Sequence, residues 1–188
     1  MSADDRRKWN AKYARPDAAP AQPSRLLAEL APLLPTSGRA LDVAGGAGRD
    51  ALWLAQRGLD VCVADISQGG LEIAVKRAAE CGVALETVLV DVECDPFPQG
   101  PWGLILSVHF LHRPLFAEFP KVLQPGGALV VIHPTQANLQ RHEKPPKRFL
   151  LEDDELPSLV EGLEIVHYEE GWLAEGRHDA VLVARLSG

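Results

Sequence analysis

The 188-residue chain has the length of one domain, and a domain of that size buries enough surface to be stable without disulfides or a structural metal. Apolar residues make up 46% and charged residues 24%, the balance of a globular protein, and a net charge of -7 argues against nucleic acid held by bulk electrostatics. No apolar run approaches the roughly 18 residues of a membrane span, the opening MSADDRRKWN has no apolar leader core, and Cys62, Cys81 and Cys94 show no paired spacing. A reduced, cytoplasmic chain with no membrane partner and no bound metal is therefore expected.

In chain order, residues 1–25 contain Pro16, Pro20 and Pro23 and read as an N-terminal arm or cap, with a short helix around Trp9 and Tyr13. The core is expected over residues 40–188, in one domain spanning 1–188. Residues 40–44 (ALDVA) form a buried strand, followed by a glycine-rich turn and a helix over 49–57. A second strand (60–65, DVCVAD) precedes a helix that Ser67 caps and Gly82 stops. Residues 85–91 are a third strand and 95–101, with three prolines, a loop. A fourth strand (103–108), a helix over 114–123 opened by proline, a Pro-Gly-Gly turn and a fifth strand (128–133) follow. Strands alternating with helices predict a parallel sheet covered on both faces. The last third breaks that pattern. Residues 135–148 read as a long basic loop and 153–161 as a short helix, while 163–169 and 178–186 form a hairpin.

The turn Leu41-Asp42-Val43-Ala44-Gly45-Gly46-Ala47-Gly48-Arg49-Asp50-Ala51 ends a strand and opens a helix, where glycines admit a ligand close to the backbone and the helix start offers free N–H donors. Read as Gly46-x-Gly48-x-x-Ala51, with Asp65 19 residues beyond Gly46, it satisfies the dinucleotide fingerprint and so does not by itself separate NAD from another adenosine cofactor. Two further acids do. Asp42 would crowd a pyrophosphate but suits the ammonium or sulfonium of S-adenosylmethionine, and Asp91, with the backbone of Val92 beside it, closes the third strand where it meets an adenine edge. A lone strand-end Asp is ordinarily a cap; three at neighbouring strand ends fit a cationic nucleoside.

Segments LDVAGGAGRDALWLA (41–55), VADIS (63–67), LVDVE (89–93), VLQPGG (122–127) and the tail from YEEG to VARL (168–186) resemble class I S-adenosylmethionine-dependent methyltransferases, of the small bacterial type similar to tellurite-resistance and thiopurine methyltransferases. The resemblance implies a Rossmann-like α/β fold whose seven-stranded sheet has the order 3-2-1-4-5-7-6, its last strand antiparallel. It also implies a cofactor site of Asp42, Ala44, Gly45, Gly46, Gly48, Asp65, Ile66, Asp91, Val92 and Ser107. Two positions depart from the pattern: Ala44 stands where the first glycine is usual, which fits if its φ stays negative, and Gly103 replaces a frequent Asp.

Ligands of an open α/β sheet bind beyond the carboxyl ends of its strands. That edge gathers His109, His112, Arg113, His133, Trp172, Arg177 and His178, and the basic loop carrying Arg148 crosses it. A soft acceptor such as a thiolate or a metalloid oxyanion needs no base. An oxygen or nitrogen acceptor calls for one, with His109 or His112 the candidates. Arg113, His133, Arg148, Trp172 and His178, with Trp9 and Tyr13 from the arm, are the candidate acceptor residues. The plainer reading makes each histidine a hydrogen-bonded rim residue and the loop a solvated charge run. The nine carboxylates of 152–175 lack ligand spacing. The expected function is methyl transfer to a small molecule by a monomer or homodimer. A nicotinamide-dependent oxidoreductase and a non-catalytic cofactor-binding module are the competing readings.

Overall fold

The computed structural model describes residues 3–15 and 22–188; Pro16 and Pro20 of the arm lie outside them. Helix α1 (Ala3–Tyr13) places Asp4 and Asp5 in its first turn and Lys12 in its last, as the helix dipole favours. Helix α2 (Arg25–Glu29) and the 3-10 turn Ala31–Leu33 precede the sheet. The main body then runs β1 (Arg39–Val43), α3 (Arg49–Gln56), β2 (Asp60–Asp65), α4 (Gln68–Glu80), β3 (Glu86–Leu89), β4 (Trp102–Val108), α5 (Phe119–Val122) and β5 (Leu123–Pro134). Helix α6 (Leu156–Leu159) leads into the hairpin of β6 (Glu164–Trp172) and β7 (His178–Arg185).

The seven strands lie in the order β3-β2-β1-β4-β5-β7-β6. All pairs from β3 to β5 are parallel, and β7 is antiparallel to both β5 and β6. This is the topology the resemblance implied. Alternation along each strand divides the core between the two faces. Ile105 of β4 packs with Trp102, Phe116 and Phe119 on one side, while Leu104 and Leu106 pack with Leu27, Leu54 and Leu71 on the other. Strand order reverses at β1, leaving β1 and β4 adjacent with their connections on opposite sides, which opens a crevice at their carboxyl ends.

Several element boundaries differ from the pattern reading. The helix expected over 114–123 is a 3-10 turn, Arg113–Ala117, followed by the one-turn α5, because Pro120 has no amide proton with which to continue the first segment. Strand β5 starts at Leu123, not 128. The residues between form a bulge in its pairing with β4, across which Trp102 meets Leu123 and Leu104 meets Ala128. The long loop over 135–148 holds structure too. Thr135 Oγ1 accepts from the Ala137 amide to open the 3-10 turn Gln136–Gln140, and a second turn covers Lys147–Phe149. Helix α2 was not anticipated, although Leu26, Leu27, Leu30 and Leu34 are buried.

Candidate functional site

One cavity of about 630 Å³ lies in the crevice beyond β1 and β4, reached from one side by α1. Its floor is the glycine turn. Ala44, Gly46 and Gly48 all have positive φ (54°, 56° and 68°), which coils the turn tightly, with the Gly46 amide donating to Asp65 and the Gly48 amide to the Gly45 carbonyl. Ala44 thus corrects the expectation of negative φ. The turn demands the left-handed conformation that glycine supplies freely, and alanine holds it at a cost of roughly 1–2 kcal/mol. A methyl group on Gly46 would collide with the Tyr13 hydroxyl and one on Gly45 with the Asp42 carboxylate, so both positions require bare backbone.

Carboxylates surround this turn. Asp65 Oδ2 accepts from the Gly46 amide at 2.8 Å and Oδ1 from the Ser67 amide at 2.8 Å. Each oxygen keeps a further lone pair for a hydroxyl. Burial raises the Asp65 carboxyl above the usual range despite these bonds. Asp42 is buried beneath Gly45, and burial, with Asp50 and Asp65 as like-charged neighbours, raises its carboxyl well above the ordinary value while Arg49 opposes. Arg49 is itself paired to Asp50 at 2.8 Å. Buried acids short of positive charge fit a cationic ligand, whose ammonium or sulfonium would restore the ionised form.

Helix α1 closes one side. Asn10 Oδ1 accepts from Ser67 Oγ (2.7 Å) and the Gly69 amide (3.2 Å), pinning α1 to the start of α4. Tyr13 stacks near Trp9 and is hydrogen-bonded at its hydroxyl by the Ala47 backbone; burial and then Asp65 push it up to about 12. Lys12 lies over the Trp9 ring at 4.3 Å and is lowered by burial, with Asp65 pulling the other way.

On the opposite side, beyond β4, β5 and β7, the chemistry is imidazole. His109 and His133 both line the cavity. His133 Nε2 lies 2.8 Å from the Phe149 carbonyl, and its buried Nδ1 has no partner among the described residues. Burial depresses it to about 4, which the Phe149 hydrogen bond only partly offsets, leaving a neutral ring. His109 Nε2 lies 3.9 Å from Oδ2 of the buried Asp179.

Of the residues singled out in the sequence, Trp9, Tyr13, Asp42, Ala44, Gly45, Asp65, Ile66, His109 and His133 line the cavity. Gly46 and Gly48 shape the floor from behind, and Ser107 donates to the Phe110 carbonyl at 3.1 Å. Asp91 and Val92 lie outside the lining, Asp91 accepting from the Glu93 amide, while Glu93 itself lines the cavity. The remaining acceptor candidates, and His112 of the two candidate bases, lie outside the lining. Arg113 is bound to Glu155 (2.7 Å) and the Leu150 carbonyl, and His112 sits 3.9 Å from Glu93. Arg148 lies over Phe149. Trp172 carries Arg141 on its face, and His178 Nδ1 bonds Thr135. The sequence reading missed Lys12, Phe110, Phe149 and Asp179. Asp179 alone carried a signal, as the one acid in an otherwise apolar strand. No group of acids, histidines and cysteines able to hold a metal occurs among the described residues, and none of their helices is long and apolar enough to cross a membrane.

Comparison with known proteins accords with this geometry. Residues 40–127 match the family model described as a methyltransferase domain. Over 103 residues the chain is 33% identical to the ubiquinone/menaquinone biosynthesis C-methyltransferase UbiE of Bordetella parapertussis, a match covering 50% of this chain and 40% of that protein. The chain thus spans well under half of this relative. A structure determined in work on converting a disulfide bond into a thioacetal group during echinomycin biosynthesis superimposes with a TM-score of 0.77 at 19% identity, covering 97% of this chain and 92% of that one. TehB from Haemophilus influenzae gives 0.73 at 18% identity, covering 95% and 67%. At such identities the likeness is one of fold.

Proposed function

We propose that this chain, whose residues 40–127 match a methyltransferase domain, is a class I S-adenosylmethionine-dependent methyltransferase that transfers a methyl group to a small molecule held in the same cavity. The observation that carries this reading is the buried Asp42 beneath a glycine turn that also holds Asp65. Together they make a backbone cradle with surplus negative charge, suited to a cationic nucleoside and ill suited to the pyrophosphate of a nicotinamide cofactor. S-adenosylmethionine, when bound, supplies a methyl group on a positively charged sulfur, ready for in-line displacement. The residues present fit it: Asp65 would offer lone pairs to ribose hydroxyls, and Asp42 would meet the positive charge, with Tyr13 closing over the turn.

The protein then contributes position and dryness. Helix α1 and Phe149 close the cavity from two sides, which limits water and keeps the acceptor aligned. A volume of about 630 Å³ is in the range for a cofactor with a small partner. Calorimetric titration with S-adenosylhomocysteine and with NADH tests the reading. Tight binding of the first and none of the second is expected; the reverse would return the chain to the oxidoreductases. Binding of S-adenosylhomocysteine without transfer of labelled methyl to any acceptor would leave a non-catalytic binding module.

A further inference from the structure

We infer that the methyl acceptor is a ring-sized organic molecule whose accepting atom is a hydroxyl oxygen or amine nitrogen, and that His109, backed by the buried Asp179 and its half-exposed partner Arg177, takes its proton. The inference rests on the methyl-transfer reading above and names the substrate class of that site.

His109 follows directly on β4 with φ 58°, a left-handed conformation that histidine tolerates better than most residues but that still carries strain. The turn is held by its own amide, which donates to the Ile132 carbonyl of β5 at 2.8 Å. Its effect is to turn the ring into the cavity, with Nε2 3.9 Å from Asp179 Oδ2. Asp179 sits at the start of β7 opposite Pro134, its side chain fully buried. Arg177 Nε reaches its two oxygens at 2.8 and 2.7 Å. Burial alone would raise the Asp179 carboxyl; His109 and Arg177 outweigh it and hold the group below the usual range, ionised behind the ring. A buried carboxylate behind an imidazole that faces a ligand cavity fixes the ring's orientation and stabilises its protonated form.

A thiolate or metalloid oxyanion needs no such device. Nor is the His109 side of the cavity built for an anion: the cations of the lining, Lys8, Lys12 and Arg49, come from α1 and α3 among Asp5, Asp42, Asp50 and Asp65, with Arg49 paired to Asp50, and the expected anion guides Arg113 and Arg148 are not in the lining. Its walls on the His109 side are Phe110, Leu111, Pro134 and Phe149, which suit a flat apolar body. The proton balance closes with these groups. The acceptor's oxygen or nitrogen bonds to the methyl carbon, the carbon–sulfur bond breaks with its electron pair returning to sulfur, and the acceptor proton passes to the His109 nitrogen turned away from Asp179. The ring's partial exposure then lets that proton leave to water. The charged or titratable groups facing His109 are Asp179 from β7, Arg177 just before it and His133 from β5, and the neutral His133 does not compete for the proton.

The experiment measures S-adenosylhomocysteine binding together with labelled methyl transfer to phenols and aromatic amines, and to thiophenol and tellurite in parallel. Turnover of a phenol or amine is expected. His109→Asn, which keeps the left-handed backbone accessible, should lower kcat on it by about 10²–10⁴-fold with S-adenosylhomocysteine affinity held within about threefold. Asp179→Asn should lower kcat by less than His109→Asn while leaving KM and S-adenosylhomocysteine affinity in place, whereas a merely structural Asp179 would move stability and binding and leave kcat per folded enzyme unchanged. Turnover confined to thiophenol or tellurite, absent from every phenol and amine, or undiminished in His109→Asn overturns this inference alone. Failure to bind S-adenosylhomocysteine overturns the methyl-transfer reading and this inference with it.

Discussion

The two halves of the cavity treat charge in opposite ways. Beside β1 and β2, Asp42 and Asp65 are acids raised by burial, hydrogen-bonded by backbone or crowded by like charge. Beside β5 and β7, His133 is a base lowered by burial, and Asp179 is an acid held down by His109 and Arg177. The first half is incomplete until a cation arrives, whereas the second has its charges already matched. One sheet edge therefore offers a binding side and a reacting side, and desolvation acts on both with the sign of the reply set by what each residue faces.

The largest test of that contrast is on the reacting side. His133 is neutral in the fold but protonates in the unfolded chain, so between pH 6.5 and about 4 the unfolded state binds more protons and stability falls as pH falls. Denaturant melts should show the wild type losing up to roughly 3 kcal/mol across that window relative to His133→Gln, which keeps an amide near the Phe149 carbonyl. Next comes the anchor of the binding side. Asp65→Ala removes the acceptor for two backbone amides as well as a ligand contact, and should weaken S-adenosylhomocysteine binding by about 1–3 kcal/mol in calorimetry. Asp42→Asn sharpens the comparison because it should divide function from stability. Cofactor affinity is expected to drop about tenfold, while the cofactor-free protein gains thermal stability at pH 7. The sign follows from the raised carboxyl: the folded state holds the proton more tightly, so stability falls as pH rises above the unfolded value of 3.8. The smallest effect is set for Arg113→Met, which breaks the pair with Glu155 outside the cavity. It should cost about 1 kcal/mol in a melt and leave S-adenosylhomocysteine affinity unchanged.

Most strands were legible because buried parallel strands write themselves as short apolar runs, and Ser67 and Gly82 mark the bounds of α4, whereas the order of the strands came only from the family resemblance. Asp42 and Asp65 were legible too, since strand ends and glycine turns put them at one edge. What sequence could not carry was the effect of distant packing. Phe149 joins the wall only because Leu151 bridges to Thr135, and Asp179 becomes a partner of His109 only through the antiparallel register that sets it against Pro134. Arg113 and Arg148 looked free by charge count, but Glu155 and the Phe149 ring engage them. The φ of Ala44 was hidden for a different reason. A residue's letter records its preference, and here the turn overrides it.

The pinning of α1 by Asn10 has a consequence for how the helix moves. Two hydrogen bonds to Ser67 and Gly69 hold the helix over the glycine turn, worth together about 1–3 kcal/mol. Ser67 caps α4 from within, and Asn10, outside the cavity lining, ties α1 to that cap, so a single asparagine weights the balance between α1 held on the glycine turn and α1 lifted from it.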